Sequence, residues 1–207
     1  MKRAITLVEI LIVIAILALL AALIFPVIVR SKEAAKTASC TSNLRQAYIA
    51  WSLYTDSYDG RPPLRLEQFI DDPGELAIMK CPSDSFQPGA NKMASNRIGE
   101  KISYFYAGAP SAFWEDLENA DPNHGVLACV AHGERVGDGA VLDPLNDTTG
   151  FVLRLRKDGS VQRAQVGHIC FDPPEGGLMT TRATWLLFTD EWPCPEPWCP
   201  AGSYQCQ

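Results

Sequence analysis

A carboxylate stands at the edge of the most apolar stretch of this chain of 207 residues, and few environments tolerate that. From Ile10 to Val29 the residues are apolar without a break; Glu9 directly precedes them, and the basic pair Lys2-Arg3 lies near the start. At 1.5 Å per residue such a helix is roughly 30 Å long, about the thickness of a bilayer core. The run predicts a membrane-spanning helix. A secretory signal peptide has a shorter apolar core, about 7–15 residues, closed by a small-residue cleavage site, whereas this run passes on into a helical pattern. An ionised acid at the middle of a membrane helix costs on the order of 2.5–3.5 kcal/mol, and less near an end. Glu9 is therefore expected to have a partner. Charge does not set the orientation, because Lys2 and Arg3 precede the run while Arg30, Lys32 and Lys36 follow it.

The segment resembles the N-terminus of type IV pilins and type II secretion pseudopilins, in which a short basic leader and a small residue precede a pattern like F-T-L-V-E and a hydrophobic helix. Here these are Lys2-Arg3-Ala4 and then Ile5-Thr6-Leu7-Val8-Glu9. The family usually has glycine before the cut and phenylalanine after it; Ala4 and Ile5 take those places. The resemblance implies that residues 1–4 are a leader, cut after Ala4 by a prepilin peptidase that methylates the Ile5 amine. It makes Glu9 the assembly carboxylate, facing the N-terminal amine of a neighbouring subunit, and puts Pro26 where pilins carry a helix-distorting proline. The implied partners are copies of the chain and other pilin-like subunits, the peptidase, the membrane and an inner-membrane assembly platform. The implied location is the bacterial cytoplasmic membrane with the head outside the cytoplasm, then a periplasmic or cell-surface filament.

A second resemblance covers much of the remainder. Cys40-Thr-Ser-Asn-Leu-Arg-Gln46 is similar to a C-x-x-N-L-R-Q segment in bacterial proteins that join a prepilin-type N-terminus to a C-terminal His…Asp-Gly element. Lys80-Cys-Pro-Ser-Asp84, Ser103-Tyr-Phe-Tyr106, His132 and Asp158-Gly159 follow in that group's order. The gap from His132 to Asp158 is longer than the group's, which makes Gly137 to Thr149 an insertion.

Seven cysteines, an odd number, all follow the apolar run. On the outer side of a membrane disulfides are at home, with one thiol left over or paired between chains. Cys40 and Cys81 sit in matched segments and form a candidate disulfide stapling residues 60–99 to the helix; Cys194 and Cys199 are the other candidates. Cys194-Pro-Glu-Pro-Trp-Cys199 lacks the spacing and the second pair of a zinc ribbon, and His124, His132 and His168 share no ligand spacing, so no metal is expected. Asp143-Pro-Leu-Asn-Asp147 offers three oxygen side chains where calcium takes six to eight ligands; an Asx turn is the expectation there, with calcium the alternative. No nucleophile motif or phosphate loop appears, so an enzyme is not expected. A net charge of −6, or −8 once Lys2 and Arg3 are removed, argues against a general nucleic-acid binder.

The fold class expected is α+β, a pilin-like helix on a small antiparallel sheet. Residues 5–29 would form the transmembrane and filament-core half of one helix, 30–59 its amphipathic continuation, and 60–207 the head. Leu44, Tyr48, Trp51, Thr55 and Tyr58 share one helical face suited to a sheet, and Asp59-Gly60 with Pro62-Pro63 ends the helix near Tyr58. Residues 60–99 read as a long excursion with short elements near Leu66–Phe69 and Leu76–Met79. Lys101–Tyr106, Gly125–Ala131 and Thr184–Thr189 are strand candidates, and Phe113–Asn119 a short helix. Asp158-Gly159, as a two-residue type I′ turn, pairs Phe151 with Val166, Leu153 with Ala164 and Leu155 with Gln162 on a face toward the helix. It sets Arg154 against Arg163 on the other face, where a solvated surface is the expectation and an acidic neighbour would relieve the like charges. The Pro-, Trp- and Cys-rich tail predicts an irregular disulfide-tied cap, with Trp192 and Trp198 covering the core or offering a binding patch. The function expected is a structural filament subunit; the alternative is a scarce membrane-tethered or filament-tip protein that binds carbohydrate, DNA or a secreted substrate.

Overall fold

The computed structural model describes residues 7–70, 73–86, 89–107, 117, 120–132, 134–135, 148–149, 151–165, 169–171, 179–181, 187–189 and 204–205. Its first element, α1, runs unbroken from Leu7 to Ser57 and through Pro26. Two left-handed residues stop it, Asp59 at φ 57° and Gly60 at φ 83°. The Gly60 N–H reaches back to the Thr55 carbonyl at 2.9 Å, the bond that closes a helix on a glycine.

The two halves of α1 live in different surroundings. Seventeen large apolar side chains between Leu7 and Val29 are all 47–80 % exposed. Covering the uncovered part of each is worth on the order of 1 kcal/mol, which over seventeen exceeds the 5–15 kcal/mol by which a typical domain is stable at all. None of the described residues covers this stretch, and it is long and apolar enough to cross a membrane. In the second half the buried residues are Cys40, Leu44, Ala47 and Trp51, one stripe at helical spacing. Tyr48 and Thr55 flank that stripe half-buried, and Tyr58 lies beyond it, exposed.

That stripe packs on a four-stranded antiparallel sheet. Its strands are β1 (Tyr104–Tyr106), β2 (Gly125–Cys129), β5 (Phe151–Arg156) and β6 (Val161–Gln165), in the order β1-β2-β5-β6. Directly opposed residues of antiparallel strands share a face, so Tyr104, Cys129 and Leu153 form one row and Tyr106, Leu127 and Leu155 the next. Both rows turn toward α1. Cys40 Sγ lies 3.3 Å from Tyr104 Oη, and Trp51 Nε1 donates to Tyr106 Oη at 3.4 Å. The Tyr106 hydroxyl in turn donates to the Pro63 carbonyl, tying down the chain just after the helix.

The remaining elements are short. A 3-10 turn at Leu66–Gln68, α2 at Pro73–Ile78 and α3 at Lys92–Ile98 occupy the excursion; the first two fall where short elements were expected, and α3 is additional. It is capped by Asn91, whose side chain accepts from the Ala94 N–H, and ends on left-handed Gly99. β3 (Glu134–Arg135) pairs with β4 (Thr148–Thr149), and β7 (Ile169–Phe171) lies between β8 (Met179–Thr181) and β9 (Tyr204–Gln205). The tail thus contributes a strand near its end rather than being irregular throughout. Its remainder, with Trp192, Trp198, Cys194 and Cys199, lies outside the described residues, as do Asp143–Asp147 and, apart from Leu117, the candidate helix Phe113–Asn119.

The hairpin differs from expectation by one residue. Phe151 pairs with Gln165, Leu153 with Arg163, Arg154 with Gln162 and Leu155 with Val161. The turn holds three residues, 157–159, bounded by a 2.8 Å bond from the Arg156 N–H to the Ser160 carbonyl and carrying positive φ at Gly159 but not at Asp158. A type I turn with a left-handed glycine matches this, whereas a type I′ turn needs both central residues left-handed. The shift removes the Arg154–Arg163 opposition. Instead Arg154, 1 % exposed, donates from Nε to the Leu187 carbonyl at 2.8 Å and from Nη2 to the Thr189 carbonyl at 3.3 Å. This face is therefore covered rather than solvated. The cover comes from the candidate strand Thr184–Thr189, whose described part, Leu187–Thr189, is a turn with its carbonyls aimed at the Arg154 guanidinium and the Gly125 N–H.

Gly125 sits under that turn. A Cβ there would lie 2.8 Å from Arg154 Cγ and 2.9 Å from Phe188 Cα, while one at Gly60 would meet nothing within 4 Å. Gly125→Ala is expected to cost about 2–3 kcal/mol by overpacking, and Gly60→Ala about 1 kcal/mol through its positive φ alone. Urea unfolding of the full chain in detergent micelles tests the ranking, and equal losses would count against this packing.

Candidate functional site

Two places in the chain concentrate unusual chemistry. The first is the start of α1, where Glu9 occupies the first helical turn ahead of the apolar run. An acid there faces the positive end of the helix dipole, a favourable arrangement. Pro26 lies inside the helix, where its missing N–H leaves the Ala22 carbonyl without its usual helical donor. Ala4 and Ile5 lie outside the described residues.

The second is a buried cluster of Cys40, Cys81, Cys129 and His132, whose sulfurs and ring nitrogen all lie within 4.8 Å of one another. Each donor comes from a different piece of structure. Cys40 begins the buried stripe of α1. Cys129 is the last residue of β2, opposite Tyr104 and Leu153 on the face toward the helix. Three residues further on, His132 is 4 % exposed, with its ring stacked 5.2 Å from that of Phe151 at 11° and Nε2 3.5 Å from Cys81 Sγ. The Arg163 guanidinium lies 3.6 Å from the centroid of the same Phe151 ring, a cation–π contact that helps fix the stack.

Cys81 is held by the segments recognised in the sequence. Its N–H donates to Ser103 Oγ at 2.9 Å, the Ser103 N–H donates to the Met79 carbonyl at 2.9 Å, and Asn43 Nδ2 donates to the Lys80 carbonyl at 3.1 Å. Asp84 accepts from the N–H groups of Phe86 and Ala90, both at 2.8 Å, and so folds the chain back after Cys81. Asn91 Nδ2 donates to the Tyr104 carbonyl at 2.9 Å. A Cβ on Gly159 of the hairpin would lie 2.8 Å from the Tyr48 ring, so the glycine lets the turn close on that ring, and the Tyr48 hydroxyl donates to the Lys157 carbonyl at 3.3 Å. Asn43, Ser103 and Asp84, from three of the short matched segments, thus hold the segment that carries Cys81, while Gly159 packs on α1 at Tyr48.

Electrostatics inside the cluster are those of three thiols crowded in a dry site. Hydrogen bonds from Cys129 and Cys40, with a further one from His132, hold the Cys81 thiol far below the usual range. Burial pushes Cys129 up, and its two thiol neighbours add to that. A negative charge is thus favoured at Cys81 and disfavoured at Cys129. Burial, and then the charge of the neighbouring thiols, also keeps the Tyr104 phenol protonated, so its O–H is available to Cys40.

The chain matches no family model, no curated protein and no solved structure. The site is therefore described by its own geometry.

Of the cysteines singled out in the sequence, Cys40 and Cys81 are brought together, as free thiols and in the company of Cys129. Cys194 and Cys199 lie outside the described residues. Spacing rules for zinc motifs look for two short pairs and pass over this set, whose only short interval is Cys129-x-x-His132. That interval, at the end of a predicted strand and read together with the two cysteines of the matched segments, was the available signal.

Among the described residues, Ser103 Oγ is the partner of the buried Cys81 N–H. Ser103→Ala is expected to cost about 1–3 kcal/mol by leaving that donor unsatisfied, and Ser42→Ala, on the exposed side of α1, less than about 0.5 kcal/mol. Chemical denaturation of the two variants compares them, and indistinguishable midpoints would remove the assigned role.

Proposed function

We propose that the chain is a structural subunit of a type IV pilus-like or type II secretion filament, held in the cytoplasmic membrane before assembly and joined to its neighbours through the first half of α1. The observation that carries this reading is the continuity of α1. An apolar length that the described residues leave uncovered and a stripe that the head buries belong to the same helix, so a load on one is passed directly to the other. Lipid and a bundle of identical helices are the two surroundings that satisfy such a surface, and a subunit moving from one to the other keeps its apolar contacts throughout.

Glu9 gives the transfer its register. Packed among helices, a carboxylate is costly unless it meets a positive charge, and the amine that cleavage after Ala4 creates on Ile5 of an adjacent subunit supplies one. The pair forms only when adjacent helices are offset by a set distance. Removal of Lys2 and Arg3 belongs to the same logic, because both charges would otherwise enter the apolar bundle with the helix end.

Glu9→Ala is expected to leave the head folded and to reduce incorporation into filaments to background, read as the ratio of sheared-filament to membrane-bound protein. Unchanged filament yield would count against the role. Mass spectrometry of the mature N-terminus is expected to find N-methylated Ile5, and an intact Met1 or a cut near Ala22 would overturn the reading.

A further inference from the structure

We infer that Cys40, Cys81, Cys129 and His132 are the ligands of a tetrahedral zinc ion that clamps α1 to the head. The inference rests on the four donors and stands apart from the filament reading, which concerns the opposite end of α1.

Number, type and distance all fit. Structural zinc takes four ligands from cysteine and histidine, with Zn–S about 2.3 Å and Zn–N about 2.0–2.1 Å. Those bond lengths put sulfur and nitrogen of neighbouring ligands about 3.6 Å apart in a tetrahedron, close to the 3.5 Å between Cys81 Sγ and His132 Nε2. All four donors lie within 4.8 Å of one another, a spread that a central ion closes by drawing the side chains inward by at most about an ångström. All four residues are buried, at 0–4 % exposure, which suits a closed structural site rather than one with an open position for water.

Charge makes the same point. Like charges crowded in a dry site repel one another, and a divalent ion offsets that repulsion, so the three thiols can bind it as thiolates and release their protons. Zinc rather than a hard cation follows from the donors, since three sulfurs and an imidazole are poor ligands for calcium or magnesium. The surroundings supply an outer shell as well: Tyr104 Oη at 3.3 Å from Cys40 Sγ, Ser103 holding the Cys81 backbone, and the Phe151 ring fixing the plane of His132.

A disulfide is the rival use of these thiols. It would join two of the three and strand the third beside His132, whereas the ion uses all four side chains. It would also tie two segments together, while the ion ties four: the stem helix, the segment after α2, the end of β2 and the loop that follows.

The test uses the full chain in detergent micelles, reduced and stripped of metal. Cobalt(II), added as a spectroscopic substitute, is expected to bind at one equivalent with the intense visible bands of a tetrahedral site and thiolate-to-cobalt charge transfer, and zinc(II) to displace it. Replacing Cys170, Cys194, Cys199 and Cys206 together by Ser is expected to leave the equivalent in place; Cys129→Ser is expected to abolish it. His132→Cys keeps four ligands, so it is expected to retain the metal while strengthening the charge-transfer band by about a third, a change that loss of folding would not produce. No uptake by the stripped chain, uptake unaffected by Cys129→Ser, or a spectrum unmoved by His132→Cys would each overturn the inference. So would a Cys40–Cys81 or Cys40–Cys129 disulfide in protein alkylated before exposure to air.

Discussion

The contact between the stripe Cys40, Leu44, Ala47 and Trp51 and the rows led by Tyr104 and Tyr106 is the interaction on which the head depends. It covers one face of the small sheet, and it fixes where the sheet sits along a helix whose other half the chain leaves bare. A four-stranded sheet has little apolar area of its own, so a helix laid along one face is what makes a core. The tyrosines suit this interface because each brings a large ring and a hydroxyl that finds a partner across the seam. The opposite face is closed differently. There Arg154, buried to 1 %, gathers the carbonyls of Leu187 and Thr189, so a charged side chain acts as a bracket for a turn with no ladder of its own. Such a site is stable only while the guanidinium is satisfied.

The four clustered donors sit at the end of the buried stripe nearer the apolar run. Cys40 is the first buried residue of α1, and the residues before it are exposed or half-buried. This is the point at which the helix leaves the head. Hydrophobic packing is weakest at the edge of a core, and a cross-link there, by metal or by any other chemistry, opposes peeling of the helix more effectively than one placed centrally. The hydrogen bonds of Asn43, Ser103 and Asp84 have a shared physical purpose in this setting: they hold a long, weakly structured segment still enough for Cys81 to face the helix.

Much of this was written in the chain. The apolar run, Glu9 and the stripe from Leu44 onward determined the helix that runs from Leu7 to Ser57 and stops at Asp59-Gly60, because periodicity over many residues and a left-handed stop are local signals. β2, β5 and β6 were legible from composition and turn residues for the same reason. What tertiary structure decided was every relation between distant residues. A single left-handed residue in the turn at 157–159 shifted the hairpin by one place and exchanged an Arg154–Arg163 repulsion for a buried Arg154, and no local preference separates those registers as sharply as the packing of both sheet faces does. The meeting of Cys40, Cys81, Cys129 and His132 was likewise beyond spacing rules, since they come from α1, the segment after α2, and the end of β2 with the loop after it, and only the fold brings their donor atoms within 4.8 Å. Local order is set by neighbours in sequence, whereas a site is set by neighbours in space.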